Sequence, residues 1–193
     1  RLAFAQCVDR QALIDELAWG VGEIPSAYLD PQHPLANSNA VSYSYDPAAG
    51  SALLEELGWV LGAEGVRVAQ GYTGALDGTE LRVSLHRADD EISAQIGQIL
   101  QNSMDDCGIA LEVLSGPAEE VFAAGPEGPV FGRQFDLAQF AWPLTTEPAC
   151  YLYRSEAIPG DDVDVYRYSW GGWKLSARAW SCARGRTQSR ATR

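Results

Sequence analysis

Hydrophobic positions along this chain recur with two periods. Over residues 2–19, Leu2, Phe4 or Ala5, Val8, Ala12 or Leu13, and Leu17 return at helical spacing. Asp9, Arg10, Asp15 and Glu16 fall mostly on other faces, which predicts one amphipathic helix ended by Gly20 and Gly22. Residues 23–44 have no period and contain Pro25, Pro31 and Pro34. A loop that long is unusual in a compact domain and such loops are often functional. Asp46 is an N-cap residue, Pro47 suits a first helical turn, and Leu53, Leu54 and Leu57 share one face. A second helix therefore runs to Leu57, Gly58 follows as its C′ residue, and Trp59 is expected to pack back on the helix end. Glycines at 62, 65, 71, 74 and 78 mark residues 60–79 as a turn or hairpin region.

The period then changes to two. Leu81, Val83 and Leu85 alternate with Arg82, Ser84 and His86, predicting a strand. Asp89 or Asp90 caps a helix to about Asp106, with Ile92, Ile96, Ile99, Leu100 and Met104 on its apolar face and Gly108 at its end. Ile109, Leu111 and Val113 alternate in a second strand. Strand, helix and strand in this order predict a βαβ unit with a right-handed crossover. A short helix near 117–124, a Gly/Pro-rich loop at 125–133, an apolar strand over Phe135–Trp142 and a helix after Pro148 complete the reading. The fold class is α/β.

Composition narrows the function. A length of 193 residues allows one ordinary domain with a sizeable core. No apolar run is long enough to cross a bilayer as a helix. The net charge of −12 argues against a nucleic-acid partner, since phosphate binding needs a basic surface. That charge is divided unevenly. Residues 1–173 hold eight basic and all 26 acidic residues, whereas residues 174–193 hold six basic residues and no acid. Two compositions meet near Trp173. One reading is a basic arm for nucleic acid or membrane. The reading expected here is a tail without an evolved fold, from truncation, cloning or a shifted reading frame. The chain opens at Arg1 inside an amphipathic pattern, as a piece of something longer would.

Candidate chemistry is sparse. Cys7, Cys107, Cys150 and Cys182 lack metal-site spacing, and His33 and His86 are the only histidines, so neither a structural zinc nor any cofactor is implied. The cysteines are either isolated buried thiols or include one disulfide, with the pairing open. Asp89, Asp90 and Glu91 offer paired carboxylates, but capping and the helix dipole account for acids at a helix start. His86 reads as a surface histidine. No GxGxxG, Walker loop or GxSxG is present. Trp142 ends an apolar strand, where α/β layers gather ligands. It supplies a flat apolar contact with one N–H donor, or else seals the core.

Four blocks, in order, resemble a known family. They are Arg1, Ala3, Asp9 and Arg10; Tyr45-Asp46-Pro47 followed by Ala52 through Gly58-Trp59; Gly78–Leu85 with the helix to Gly108-Ile109; and Phe135-Asp136-Leu137-Ala138 running into Trp142. Together they resemble the extracellular solute-binding proteins of family 5, the oligopeptide- and dipeptide-binding subunits of ABC importers. The resemblance implies one lobe of a periplasmic-binding-protein-like (type II) fold with a βαβ unit and a mixed sheet. Residues 1–170 would form an incomplete second lobe and residues 171–193 a basic tail, disordered or non-native.

It further implies a binding protein, not an enzyme, in the periplasm or outside the cell and membrane-associated in the full-length protein. The expected partners are a peptide or other small solute, the ABC permease subunits and a first lobe of the same protein, with no nucleic acid. Trp142, Thr145, Glu147 and Arg133 are the expected ligand contacts, Arg133 for a carboxylate. Many peptide-binding members place an aspartate after the strand Trp to pair with the peptide amine. Here Thr145, Thr146 and Glu147 stand there. Either Glu147 supplies the charge or the ligand is an oligosaccharide, stacked on Trp142; Thr146 reads better as a helix cap. The rivals are a small α/β enzyme using Asp89, Asp90 and Glu91, and a standalone interaction domain using the basic tail.

Overall fold

The computed structural model describes residues 1–25, 29, 32–34, 36–37, 39–124 and 127–141. The expected helix after Pro148, Cys150, Cys182 and the tail at 171–193 lie outside the described residues. The chain divides into two compact units. One comprises Arg1–Ile24, Val41–Val121 and Gln134–Phe140, the other Pro25–Ala40, Phe122–Arg133 and Ala141–Arg193.

The first unit opens with two helices where the periodicity predicts one. These are α1 (Leu2–Gln6) and α2 (Arg10–Leu17). Asp9 breaks the run because its carboxylate accepts from the Ala12 amide at 2.9 Å, which makes it an N-cap instead of an interior residue. Cys7, at the end of α1, turns inward and bonds to Cys107. The end of α2 also comes two residues earlier than the glycines announce. Trp19 takes φ 51 and is 88% exposed, Gly20 takes φ 72, and the Gly20 amide reaches back to the Ile14 carbonyl at 3.1 Å.

Helix α3 (Pro47–Glu56) forms as its caps predict: the Asp46 carboxylate accepts from the Ala49 amide at 2.9 Å, and Gly58 adopts φ +90. Trp59 is buried and lies 5.1 Å from the Tyr72 ring, centroid to centroid. It starts β1 (Trp59–Leu61), which pairs antiparallel with β2 (Arg67–Ala69).

The βαβ unit is β3 (Arg82–Ala88), α4 (Glu91–Asp105) and β4 (Ala110–Gly116). The strands are parallel, with Arg82 opposite Ala110 and Leu85 opposite Val113. Helix α5 (Ala118–Val121) follows, and β5 (Leu137–Ala138) pairs parallel with β3, giving the order β4-β3-β5. Of the strand predicted over Phe135–Trp142, these two residues are the ones paired among the described residues. Alternation places Leu85, Ile109 and Leu111 in the core with Ile99 and Met104 of α4, as the pattern predicts. Ile92 does not join them. It is 64% exposed, because the first turn of α4 begins where the strands beneath it stop. Asp106 sits at the unfavourable end of the α4 dipole and accepts the Tyr45 hydroxyl at 2.6 Å.

Two close approaches organise this core. The disulfide Cys7–Cys107 joins α1 to the end of α4, and both cysteines are buried. It crosses α3 at Gly50, where a Cβ would meet Cys7 Sγ at 2.5 Å, so a glycine inside a helix is required by packing. The second is Arg67, only 3% exposed although arginine is seldom buried. Its Nε donates to the Cys107 carbonyl and its Nη1 to the Trp59 carbonyl, both at 2.7 Å. Glu55 meets the guanidinium at 3.3 Å, and its own side chain is 59% exposed. One side chain thus ties β2 to β1, to α3 and to the chain just after α4.

Candidate functional site

Ligands of parallel α/β layers gather beyond the carboxyl ends of the strands. Those ends are Ala88, Gly116 and Ala138 on β3, β4 and β5. Since β5 is parallel to β3, its carboxyl end lies at that same margin.

Its pairing is short, two residues plus a Gln139 amide donating to the His86 carbonyl at 2.9 Å. What secures it is Asp136. One carboxylate oxygen accepts from both the amide and the hydroxyl of Ser84 at 2.8 Å, and the Ser84 hydroxyl accepts from the Asp136 amide at 3.2 Å. A side-chain carboxylate here takes the place of a ladder carbonyl. Sequence reading passed over Asp136 as one letter of an F-D-L-A block. The usable signal was an acid directly before an apolar strand, facing a strand with serine among its outward residues. Beside it, the Gln139 side-chain oxygen is buried and has no hydrogen-bond partner among the described residues.

Arg133 is the one expected ligand contact that the structure describes. It belongs to the second unit, in a turn where the Gly132 amide donates to the Gly128 carbonyl at 2.6 Å and the Arg133 amide to the Val130 carbonyl at 3.1 Å. Val130 is buried below the turn, while Arg133 is exposed at φ 59. A left-handed non-glycine residue is uncommon and is held by its surroundings. Trp142, Thr145 and Glu147 lie outside the described residues, as does Thr146.

The acids at 89–91 are accounted for by helix capping. The Asp90 carboxylate accepts from the Ser93 amide at 2.9 Å, and all three residues are exposed. Hydrogen bonds from Ser93 hold the Asp90 carboxyl below its ordinary range. A general acid needs the opposite shift. Among the described residues no three His, Cys, Asp or Glu side chains gather as a metal site, and no helix is long and apolar enough to cross a membrane.

Residues 1–181 match the model of the bacterial extracellular solute-binding proteins, family 5 Middle. The match ends inside the basic stretch 171–193. The nickel-binding periplasmic protein of Escherichia coli K12 is 27% identical over 154 residues, 79% of this chain and 27% of that protein. The oligopeptide-binding protein of Thermus thermophilus, solved with a pentapeptide, superposes with a TM-score of 0.67 at 22% identity, covering 79% of this chain and 25% of that one. The periplasmic binding protein MelB of Agrobacterium fabrum C58, solved with stachyose, gives 0.67 at 17% identity, over 91% and 26%. The chain therefore spans about a quarter of the length of these relatives.

Proposed function

Because this chain belongs to the bacterial extracellular solute-binding proteins of family 5, we propose that it is the second lobe of an extracytoplasmic solute receptor for an ABC importer. The lobe binds and does not catalyse. Ligand shifts an open–closed equilibrium between this lobe and a first lobe of the same protein, and the closed form delivers its cargo to the permease. The observation that carries the reading is the family match over residues 1–181. The buried Cys7–Cys107 disulfide supports the compartment, since such bonds persist where the environment is oxidising. The basic stretch 171–193 takes no part in capture.

The ligand is an oligopeptide, held largely through its backbone, with Trp142 as an apolar wall, Glu147 toward the amine and Arg133 toward a carboxylate. One observation favours a second reading. Thr145 and Thr146 stand where peptide-binding members carry an aspartate, and threonine hydroxyls beside an indole suit an oligosaccharide.

Calorimetry on a complete receptor containing this chain tests the proposal against a pentapeptide, stachyose and nickel(II)–histidine. The pentapeptide should bind tightest, and Trp142→Ala should weaken it about 30-fold, the equivalent of about 2 kcal/mol of lost aromatic contact. Tightest binding of stachyose selects the second reading; binding of none of the three overturns both. The 193-residue chain by itself should bind at about millimolar level or weaker, because halving a micromolar contact energy of about −8 kcal/mol leaves that much. Micromolar binding by the single lobe contradicts capture between two lobes.

A further inference from the structure

The N-terminal helical pair contributes few fully buried residues to its unit, and its other apolar side chains, among them Leu13, Ile14 and Leu17, are only half-buried. Helix α2 has no buried residue, and α1, five residues long, buries only Ala3. Helices this short do not hold their conformation alone. Phe4 and Val8 pack partly against the core. Two polar links help: the Asp46 amide donates to the Gln6 carbonyl at 2.8 Å, and the Arg10 guanidinium donates to the Tyr43 carbonyl. Against this stands one covalent link between residues 100 apart in sequence, both buried, seated on a glycine that leaves room for sulfur. The βαβ unit carries its own core of Leu85, Met104, Ile109 and Leu111.

We infer that the Cys7–Cys107 disulfide is a redox clasp for residues 1–17: oxidised, it docks α1 and α2 on the α/β unit; reduced, it releases them while β3, α4 and β4 keep their fold. Forming the clasp transfers two electrons and two protons from the Cys7 and Cys107 thiols to a dithiol oxidant's disulfide, which leaves as two thiols while the S–S bond forms. Closing a ring of this size in advance favours docking by about 10³-fold. Once α1 is docked both sulfurs are buried, so a reductant reaches them only through opening. That an oxidant is at hand rests on the extracytoplasmic reading; the clasp itself does not, and the two fail separately.

Amide hydrogen exchange on the 193-residue chain tests it, with Cys150→Ser and Cys182→Ser as background so that only this pair responds. Adding Cys7→Ala, or reducing the background protein, should speed exchange across α1 and α2 by ~10²-fold or more and leave the β3 and β4 amides within about threefold. Unchanged exchange in α1 and α2 after confirmed reduction overturns the inference. So does parallel loss of protection in β3, α4 and β4, or failure of both reduced forms to fold, because the bond would then support the whole unit.

Discussion

Gly50→Ala is the most informative single change in this chain. In an exposed helix interior it should stabilise by about 1 kcal/mol, because alanine is the better helix former. Here the added methyl would lie 2.5 Å from Cys7 Sγ, 3.2 Å from the Ala3 carbonyl oxygen and 3.3 Å from Cys107 Sγ. The first contact is far inside van der Waals range, and a disulfide sulfur cannot rotate away as a free side chain can. Overpacking of this kind costs about 1–3 kcal/mol, and the immobile partner places it near the top of that range. After the propensity gain, a net loss of about 2 kcal/mol remains, or about 4–8 °C in Tm for a chain of this size. Urea unfolding of the oxidised protein measures it as a lower midpoint at constant slope. The same substitution in a Cys7→Ala/Cys107→Ala background closes a double-mutant cycle. With both sulfurs gone, most of the clash is gone and the effect should shrink toward zero or reverse sign. A stabilising Gly50→Ala in the oxidised protein would refute the packing argument, and an equal loss in both backgrounds would refute the role of the sulfurs.

Arg67→Met should destabilise by about 2–4 kcal/mol in denaturant unfolding, because the Trp59 and Cys107 carbonyls lose their donors inside the core. Glu55→Ala should cost no more than about 1 kcal/mol in the same assay, since Glu55 is largely exposed and its pairing is screened. Asp136→Ala should cost about 1 kcal/mol and free the Gln139 amide to exchange early, while Leu111 stays protected. Partial burial, then the hydrogen bond to Asp106, pushes the Tyr45 phenol up to about 12. Its folded value lies above the ordinary 10.0, so the contact contributes fully below that pH and is lost as pH rises through about 12. Tyr45→Phe should remove that slope from the alkaline stability profile, and an unchanged slope would assign it to other groups.

The elements themselves were legible in the residues. Period-two alternation at 81–85 and 109–113, helical spacing at 92–104, and caps at Asp46, at Asp89 or Asp90, at Gly58 and at Gly108 specified a βαβ unit and a capped helix, because propensity, capping and burial all act within a few residues. Local rules failed where a distant contact outweighed them. Periodicity through Asp9 could not show that α1 ends where Cys7 turns toward Cys107, and Ile92 fits the helical face yet stands beyond the sheet that would cover it. Four cysteines left the pairing open, since the choice depends on which chain segments meet in space. The candidate site was the least legible: Arg133 was chosen for its charge, but its left-handed turn was not foreseen. Asp136, which holds β5 against β3, drew notice only as part of a motif. A buried arginine, a helix glycine under a disulfide and a carboxylate standing in for a strand carbonyl share one cause. Each is set by a partner dozens of residues away, and only the packed chain brings that partner within reach.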